Sequence, residues 1–147
     1  MVDIAPAKLC WRHGQPTNTF YDDVYYSQSN GLDETHAIFL RGNDLPKRWQ
    51  ARNEFVIGET GFGTGLNFLA TLALWEHTSP ANAQLHYLSV EKHPLSKADM
   101  KQAILPWKQL TPYLNELISI FPDSVEGVHR RQLLHGRVAL TLLLGDA

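Results

Sequence analysis

Residues 59–65 read ETGFGTG, and this stretch decides how the rest of the chain is interpreted. Glycine occupies every second position, at Gly61, Gly63 and Gly65, directly after the apolar run FVIG. Glycine adopts positive φ angles readily and lets a ligand approach the backbone closely. The apolar run predicts a short buried strand over EFVIGET, and LNFLATLALWEH (66–77) predicts a helix. A strand, a glycine turn and a helix in this order are typical of a ligand-binding turn in an α/β fold.

Further strands and helices alternate after this turn. The pattern predicts a second strand, two helices and a hairpin, at QLHYLSVEK (84–92), from SKADM (96–100), at YLNELISIF (113–121) and at VHRRQLLHGRVALTLLLGD (128–146). Ser96 is the predicted N-cap of its helix, and the hairpin is predicted to turn at His135 and Gly136. This order predicts a doubly wound α/β sheet.

The region before the glycine turn has a weaker pattern. Residues 1–32 are predicted to be irregular, with a short strand or a loop over a cleft at TNTFYDDVYYS (17–27). DETHAIFL (33–40) predicts a short helix that ends by Gly42, and NDLPKRWQ (43–50) predicts a further helical turn or two. We therefore expect one domain over 1–147, with an accessory N-terminal region at 1–53 and the start of a Rossmann-like core at 54–147.

Composition narrows the class of protein. The chain has 147 residues, a net charge of -2 and 44% hydrophobic residues, which suits one folded domain and does not suggest a general nucleic-acid coat protein. Cys10 is the single cysteine, so an intrachain disulfide is excluded. No stretch approaches the roughly 20 apolar residues of a membrane span, and the start does not resemble a secretory signal. We expect a soluble cytoplasmic protein. The seven histidines show no metal-ligand spacing, so no metal site is predicted.

Three kinds of ligand compete for the glycine turn. A phosphate-binding loop needs Gly-Lys-Ser/Thr, but Leu66 and Asn67 follow Gly65. A dinucleotide fingerprint needs a third glycine where Leu66 stands. The pattern E-x-G-x-G-x-G, which begins at Glu59, resembles the first motif of the S-adenosylmethionine-dependent methyltransferases. In that family the loop packs against the methionine and ribose parts of the cofactor.

Acidic residues follow the two later strands. Glu91 ends the second strand, where nucleoside-binding folds place a carboxylate on the ribose hydroxyls. Asp146 ends the third strand, where the methyltransferase family places a polar or acidic residue near the adenine. Taken alone, a residue such as Glu91 is more often a solvated strand end, and one such as Asp146 is more often a turn residue. The predicted cofactor-binding residues are Glu59, Gly61, Gly63, Gly65, Asn67, Glu91 and Asp146.

Longer stretches resemble one family in particular. These stretches are FYDDVYYSQSNGLDETHAIFLRGNDL (20–45), ETGFGTGLNF (59–68), EKHPLSKADM (91–100) and GRVALTLLLGD (136–146). They resemble the amino-terminal methyltransferase domain of the bifunctional tRNA 5-methylaminomethyl-2-thiouridine biosynthesis proteins, the MnmC family. The resemblance implies methyl transfer from S-adenosylmethionine to the amine of 5-aminomethyl-2-thiouridine, at the wobble position of tRNA. The family's second domain, an FAD-dependent oxidoreductase, has no counterpart in this chain.

The resemblance also suggests catalytic residues. Asp22, Asp23, Tyr25 and Glu34, together with Asn30, match the family stretch that lies over the cofactor cleft. Without the family, the tyrosines are explained as cover for the sheet and the carboxylates as loop residues. The small basic clusters KRWQAR (47–52) and HRRQ (129–132) either contact tRNA phosphates or lie on solvated surface.

The family's acidic motif D-G-F-x-P, its usual candidate for proton acceptor, is absent from the sequence. We therefore expect the methyltransferase fold to be incomplete at the C-terminus, and this chain alone to be inactive in methyl transfer. Two alternatives stay open. One is another enzyme that uses S-adenosylmethionine or a nucleotide cofactor, and the other is a non-catalytic fragment that binds cofactor.

Overall fold

The computed structural model describes residues 2–19, 21, 23–25 and 31–146, so the predictions for Asp22 and Asn30 lie outside the described residues. The strands are β1 (Leu9–Arg12), β2 (Gln15–Asn18), β3 (Asp23–Val24), β4 (Glu54–Thr60), β5 (Gln84–Glu91), β6 (Gly127–Leu133) and β7 (Val138–Leu144). The α-helices are α1 (Gly31–Glu34), α2 (Leu66–Thr78), α3 (Lys97–Ile104) and α4 (Thr111–Ile120). A π-helical segment (Thr35–Leu40) and 3₁₀ turns (Arg41–Asn43 and Lys108–Leu110) complete the helical structure.

The main sheet has the strand order β4-β5-β7-β6. β4, β5 and β7 run parallel, and β6 pairs antiparallel with β7. The chain passes from β4 through α2 to β5, and from β5 through α3 and α4 to the hairpin. The predicted β-α-β order is therefore confirmed, and the carboxyl ends of the three parallel strands lie at one edge of the sheet.

The two faces of this sheet differ in burial. On one face, Tyr87 of β5 is fully buried and its ring lies 4.8 Å from that of Phe68 of α2. On the opposite face Val56, Leu88 and Leu143 are 64%, 39% and 38% exposed, so the helices of the described chain cover one face more completely than the other. The prediction that β4 is a buried strand is therefore wrong for half of its residues. β4 is an edge strand, and its side chains alternate between the covered and the open face.

The helices of the core follow the predicted pattern. α2 is buried on several sides, as its continuous apolar sequence predicts. Ser96 caps α3, because its hydroxyl accepts a hydrogen bond from the backbone N–H of Asp99 at 3.1 Å. The β6–β7 hairpin turns at Leu134, His135 and Gly136, all of which have positive φ angles. Among the described residues, no helix is both long enough and apolar enough to cross a membrane.

The N-terminal region differs from its prediction. β1, β2 and β3 form a three-stranded antiparallel sheet with the order β1-β2-β3 instead of an irregular segment. β1 and β2 have four residues each and mix polar with apolar side chains, so no period of two stands out in the sequence. His13 and Gly14, both with positive φ, form the tight turn between β1 and β2.

The helix predicted over 33–40 also takes another form. Its α-helical part is α1, and Thr35–Leu40 continues as a π-helix. In place of the helical turn or two predicted over 43–50, residues 44–50 form hydrogen-bonded turns, in which the N–H of Arg48 donates to the carbonyl oxygen of Asp44 at 3.1 Å, and the 3₁₀ turn before them ends at Asn43. Asp44 has a φ of 56°, which stops a regular helix at this point.

Candidate functional site

The glycine turn joins β4 to α2 at the carboxyl edge of the sheet. Gly61, Gly63 and Gly65 all have positive φ angles, of 81°, 56° and 81°. Other L-residues adopt these angles only at a cost, so glycine is needed at all three positions for conformational reasons alone. The backbone N–H of Gly61 donates to the carbonyl oxygen of Val90 at 2.8 Å, which fastens the start of the turn to β5.

The surroundings of the three glycines differ. A Cβ atom at Gly65 would lie 3.1 Å from the ring of Phe62, so this glycine is also favoured by close packing within the turn, while the 3.5 Å distance to Leu117 of α4 is an ordinary contact. A Cβ at Gly63 would lie 3.4 Å from the ring of Tyr25. Apart from its chain neighbours, no heavy atom of the described residues lies within 4 Å of the corresponding position at Gly61, so among these residues the turn is open to a ligand there.

A cavity of about 310 Å³ lies beside the open part of the turn. The turn and the start of α2 form one wall, and Tyr25 with the segment after residue 30 forms the other. The lining residues are Tyr25, Gly31, Glu34, Thr35, Ile38, Phe39, Gly61, Phe62, Gly63, Thr64, Leu66 and Asn67. Five of the predicted site residues therefore line one cavity, namely Tyr25, Glu34, Gly61, Gly63 and Asn67.

Glu91 lies at the end of β5, in contact with the glycine turn. Its Oε2 accepts a hydrogen bond from the backbone N–H of Gly63 at 2.8 Å, and its Oε1 accepts from that of His93 at 2.9 Å. A carboxylate offers about four acceptor sites, so two remain for a ligand hydroxyl. The contact of Glu91 with a ribose stays a prediction.

Glu59 does not line this cavity but lies in a polar cluster with Asn67, which does. Its Oε1 accepts from the Ser89 hydroxyl at 3.0 Å, and its Oε2 accepts from Asn67 Nδ2 at 3.5 Å. Burial raises the pKa of the Glu59 carboxyl to about 7, and the hydrogen bonds from Ser89 and Asn67 offset part of this rise. Close to neutral pH this carboxyl therefore changes its protonation state.

Tyr25 connects the small N-terminal sheet to the glycine turn. Its hydroxyl accepts a hydrogen bond from Asn18 Nδ2 at 3.2 Å, while its ring lies over Gly63. Burial is the main cause that raises the pKa of Tyr25, so the hydroxyl stays protonated at neutral pH. The ring is placed to cover the cavity, and the hydroxyl is already engaged with Asn18.

The other predicted residues lie outside the cavity. Asp23 is exposed and lines a separate surface depression together with Tyr25. Asp146 is exposed and forms an ion pair with Lys92, whose Nζ lies 2.9 Å from its Oδ2. The backbone N–H of Gly145 donates to the carbonyl oxygen of Glu91, so Asp146 follows β7 close to the end of β5.

Structural partners explain part of the remaining sequence motifs. In KRWQAR, Trp49 is fully buried and the guanidinium of Arg48 lies 5.4 Å from the centre of the Phe55 ring. In HRRQ, Arg131 Nε donates to the carbonyl oxygen of Ile120 at 2.7 Å. In the part of the chain that the structure describes, no group of three His, Cys, Asp or Glu side chains could hold a metal ion.

Among the residues that sequence reasoning missed, Thr35 and Ser89 form hydrogen bonds with predicted site residues. The Thr35 hydroxyl donates to Asn67 Oδ1 at 3.0 Å, and Ser89 faces Glu59 in the parallel register of β4 and β5. In the sequence Ser89 carries a weak signal, because it is a polar residue between the apolar Leu88 and Val90. In the structure it is fully buried. Thr35 carries none that separates it from an ordinary helix residue.

Comparison with known proteins finds close relatives by sequence. The chain is 47% identical over 142 residues to the tRNA 5-methylaminomethyl-2-thiouridine biosynthesis bifunctional protein MnmC of Methylobacillus flagellatus, covering 95% of the chain. It is 42% identical over 150 residues to the protein of that name from Legionella pneumophila, covering 99% of the chain. In both cases the chain spans 22% of the length of the relative. No model of a protein family matches the chain.

A solved structure shares the fold. The crystal structure of MNMC2 from Aquifex aeolicus matches 97% of this chain and 44% of its own chain, with a TM-score of 0.67 and 23% sequence identity. The predicted α/β, Rossmann-like fold is thereby confirmed. These relatives match 95–99% of the residues of the chain, and the chain equals about a fifth of their length. The chain belongs to the MnmC family.

Proposed function

We propose that the chain binds S-adenosylmethionine at the Gly61–Gly65 turn and serves in methyl transfer to a wobble uridine of tRNA. The single observation that carries the cofactor assignment is the pairing of this turn with Glu91 beside an open cavity. The name of these relatives supports the substrate, because 5-methylaminomethyl-2-thiouridine carries a methyl group on an exocyclic amine.

The residues present fit this cofactor. The space beside Gly61 admits a ligand close to the backbone, and Glu91 retains acceptor sites for two hydroxyls. A phosphate group has less support, since the turn lacks the Lys and Ser/Thr of a phosphate loop. Bound S-adenosylmethionine would supply an electrophilic methyl group.

The chain's own contribution to the reaction is to bind and orient. The attacking amine must be neutral, because an ammonium group has no lone pair, and a proton must leave it during the reaction. Glu34 lines the cavity and is the candidate among the described residues that is best placed to contact a substrate there. Asp23 is exposed beyond Tyr25, which favours a role at the substrate-facing rim. Holding the amine and the methyl group in line accounts for a large share of the rate in reactions of this kind.

Two parts of the chain have different roles in this proposal. Residues 54–146 would form the cofactor-binding core, and the region before residue 54 would roof the cavity through Tyr25 and the Thr35–Leu40 segment. The relatives are named bifunctional, and a second activity in them would supply the amine substrate. We place this activity in the cytoplasm, together with its tRNA.

A chimera tests this function. The matching segment of the Methylobacillus flagellatus relative, which is 47% identical, is replaced by this chain. We expect the chimera to transfer labelled methyl from S-adenosylmethionine to tRNA that carries 5-aminomethyl-2-thiouridine, and not to tRNA that lacks the aminomethyl group. The Glu91→Ala chimera is expected to lose roughly 10- to 100-fold in kcat/KM. A folded chimera without transfer, beside an active parent, would contradict the proposal.

A further inference from the structure

A chain of hydrogen bonds joins the Thr35–Leu40 segment, which lines the cavity, to the ends of β4 and β5. The Thr35 hydroxyl donates to Asn67 Oδ1 at 3.0 Å. Asn67 Nδ2 in turn donates to Glu59 Oε2 at 3.5 Å, and the Ser89 hydroxyl donates to Glu59 Oε1 at 3.0 Å. These side chains connect the π-helical segment to α2, β4 and β5, although they are far apart in the sequence.

We infer that Asn67 and Glu59 are positioning residues, which hold the Thr35–Leu40 segment over the cavity through the Thr35 hydroxyl. The inference rests on the proposed function, because it concerns the same cavity. Asn67 is engaged at both ends of its amide, one toward the roof and one toward the floor. It therefore acts mainly through Thr35, and the roof residues Ile38 and Phe39 owe their place at the cavity to this link.

The roof also contributes to the burial of Glu59. Phe39 lies near the cluster, with its ring centre 6.4 Å from that of Tyr87, and Thr35 is itself buried. Burial disfavours the charged form of a carboxyl, so ionisation of Glu59 must weaken the docking of whatever buries it. The Asn67 hydrogen bond favours the ionised form of Glu59, but burial is the larger cause, so we expect the roof to be held more tightly when Glu59 is protonated.

Of the charged groups around Glu59, Glu91 acts in the same direction as burial. Glu91 at the end of β5 adds a negative charge that disfavours ionisation further, and Tyr87 stays neutral at physiological pH. Glu34 and His36, on the roof side, are exposed. The docking of Thr35–Leu40 is therefore expected to loosen as pH rises through the range in which Glu59 ionises.

Hydrogen exchange in the free chain tests the inference without any ligand. We expect Thr35→Val and Asn67→Leu to speed exchange of the backbone amides of residues 35–41 by roughly 3- to 10-fold, the effect of losing one hydrogen bond. Thr35→Ser keeps the hydroxyl and should exchange like the parent. It is the conservative variant to compare if a larger change prevents folding.

Thr78→Val is the matched control. Thr78 lies at the other end of α2, where its hydroxyl accepts from Trp49 Nε1 at 3.0 Å. This variant removes a comparable link between α2 and the N-terminal region, and it should lower stability without changing exchange at 35–41. Equal effects of Thr78→Val and Thr35→Val at 35–41, or no effect of Thr35→Val, would overturn the inference.

The pH dependence separates positioning from simple packing. In the parent, protection of residues 35–41, corrected for intrinsic rates, should fall several-fold between about pH 6 and about pH 8. Glu59→Gln should abolish this dependence, and its persistence in that variant would overturn the role of Glu59.

Affinity for S-adenosylhomocysteine is measured in the same variants, and Thr35→Val is expected to weaken it by roughly 3- to 10-fold. If the parent binds no S-adenosylhomocysteine, the proposed function fails, while the exchange results still decide this inference.

Discussion

The backbone N–H of Gly63 donates a hydrogen bond to Oε2 of Glu91 at 2.8 Å, which joins the middle of the glycine turn to the end of β5. The other carboxylate oxygen of Glu91 accepts from His93, so the side chain is oriented before any ligand arrives. Glu91 thus supports the turn and remains available as an acceptor. This double role leads to the first prediction.

Removal of the Glu91 side chain should weaken cofactor binding more than removal of its charge. Glu91→Ala loses both the acceptor for Gly63 and the predicted ribose contact, so affinity for S-adenosylhomocysteine should fall by about 1.5–3 kcal/mol. Glu91→Gln keeps a carbonyl oxygen and should lose less. Calorimetric titration measures both, with Glu54→Ala, at the opposite end of β4, as the control. Parental affinity in Glu91→Ala would rule out this site.

The glycines of the turn should differ in their effect on stability. Gly61→Ala places a Cβ in open space, so it should cost only the strain of positive φ, about 1–2 kcal/mol. Gly65→Ala adds a close approach of 3.1 Å to Phe62 and should cost about 1–3 kcal/mol more. Urea denaturation gives the free energy of unfolding of each variant. A larger loss of stability in Gly61→Ala than in Gly65→Ala would mean that the turn packs differently.

Tyr25 should act through its ring more than through its hydroxyl. The hydroxyl is bonded to Asn18, whereas the ring lies over Gly63 and lines the cavity. Tyr25→Phe should therefore keep the affinity for S-adenosylhomocysteine within about 3-fold, and Tyr25→Ala should lower it by roughly 10-fold or more. Both affinities are obtained by titration at one pH. A large loss in Tyr25→Phe would instead assign the hydroxyl to the ligand.

Glu59 should make the chain less stable as pH rises. Its pKa is about 7 in the folded chain against 4.5 as the ordinary value, so the folded state binds more protons between these pH values. The free energy of unfolding must then fall as pH rises from about 4.5 to about 7, by about 2–4 kcal/mol from this group. Urea denaturation at a series of pH values gives the free energy of unfolding of the parent and of Glu59→Gln. The difference between the two gives the contribution of Glu59. A parallel pH profile in the variant would show that Glu59 does not titrate in this range.

The sequence predicts the core of the fold well and the N-terminal region poorly. β4 begins and ends where the apolar run predicts, and α2 and β5 agree with their predictions to within one residue. These elements have strong apolar patterns bounded by glycine, proline or polar residues. β1 and β2 are too short and too mixed to show a period, and the π-helical form of Thr35–Leu40 has no sequence signal.

In the candidate site, too, some contacts could be predicted from the sequence and others could not. The glycine turn and Glu91 are adjacent in the structure because parallel strands end at a common edge, and this could be predicted from their order alone. The contact of Glu59 with Ser89 depends on the exact register of β4 and β5. The contact of Asn67 with Thr35 depends on how the N-terminal region folds over α2. Neither register nor docking follows from local pattern.

Calorimetric titration of the chain with S-adenosylhomocysteine, S-adenosylmethionine and NAD decides whether the glycine turn and Glu91 form a site for S-adenosylmethionine. We expect saturable binding of the first two ligands at one site, no binding of NAD, and a loss of binding in Glu91→Ala. Binding of NAD alone, or binding of S-adenosylhomocysteine that Glu91→Ala leaves unchanged, would contradict this assignment.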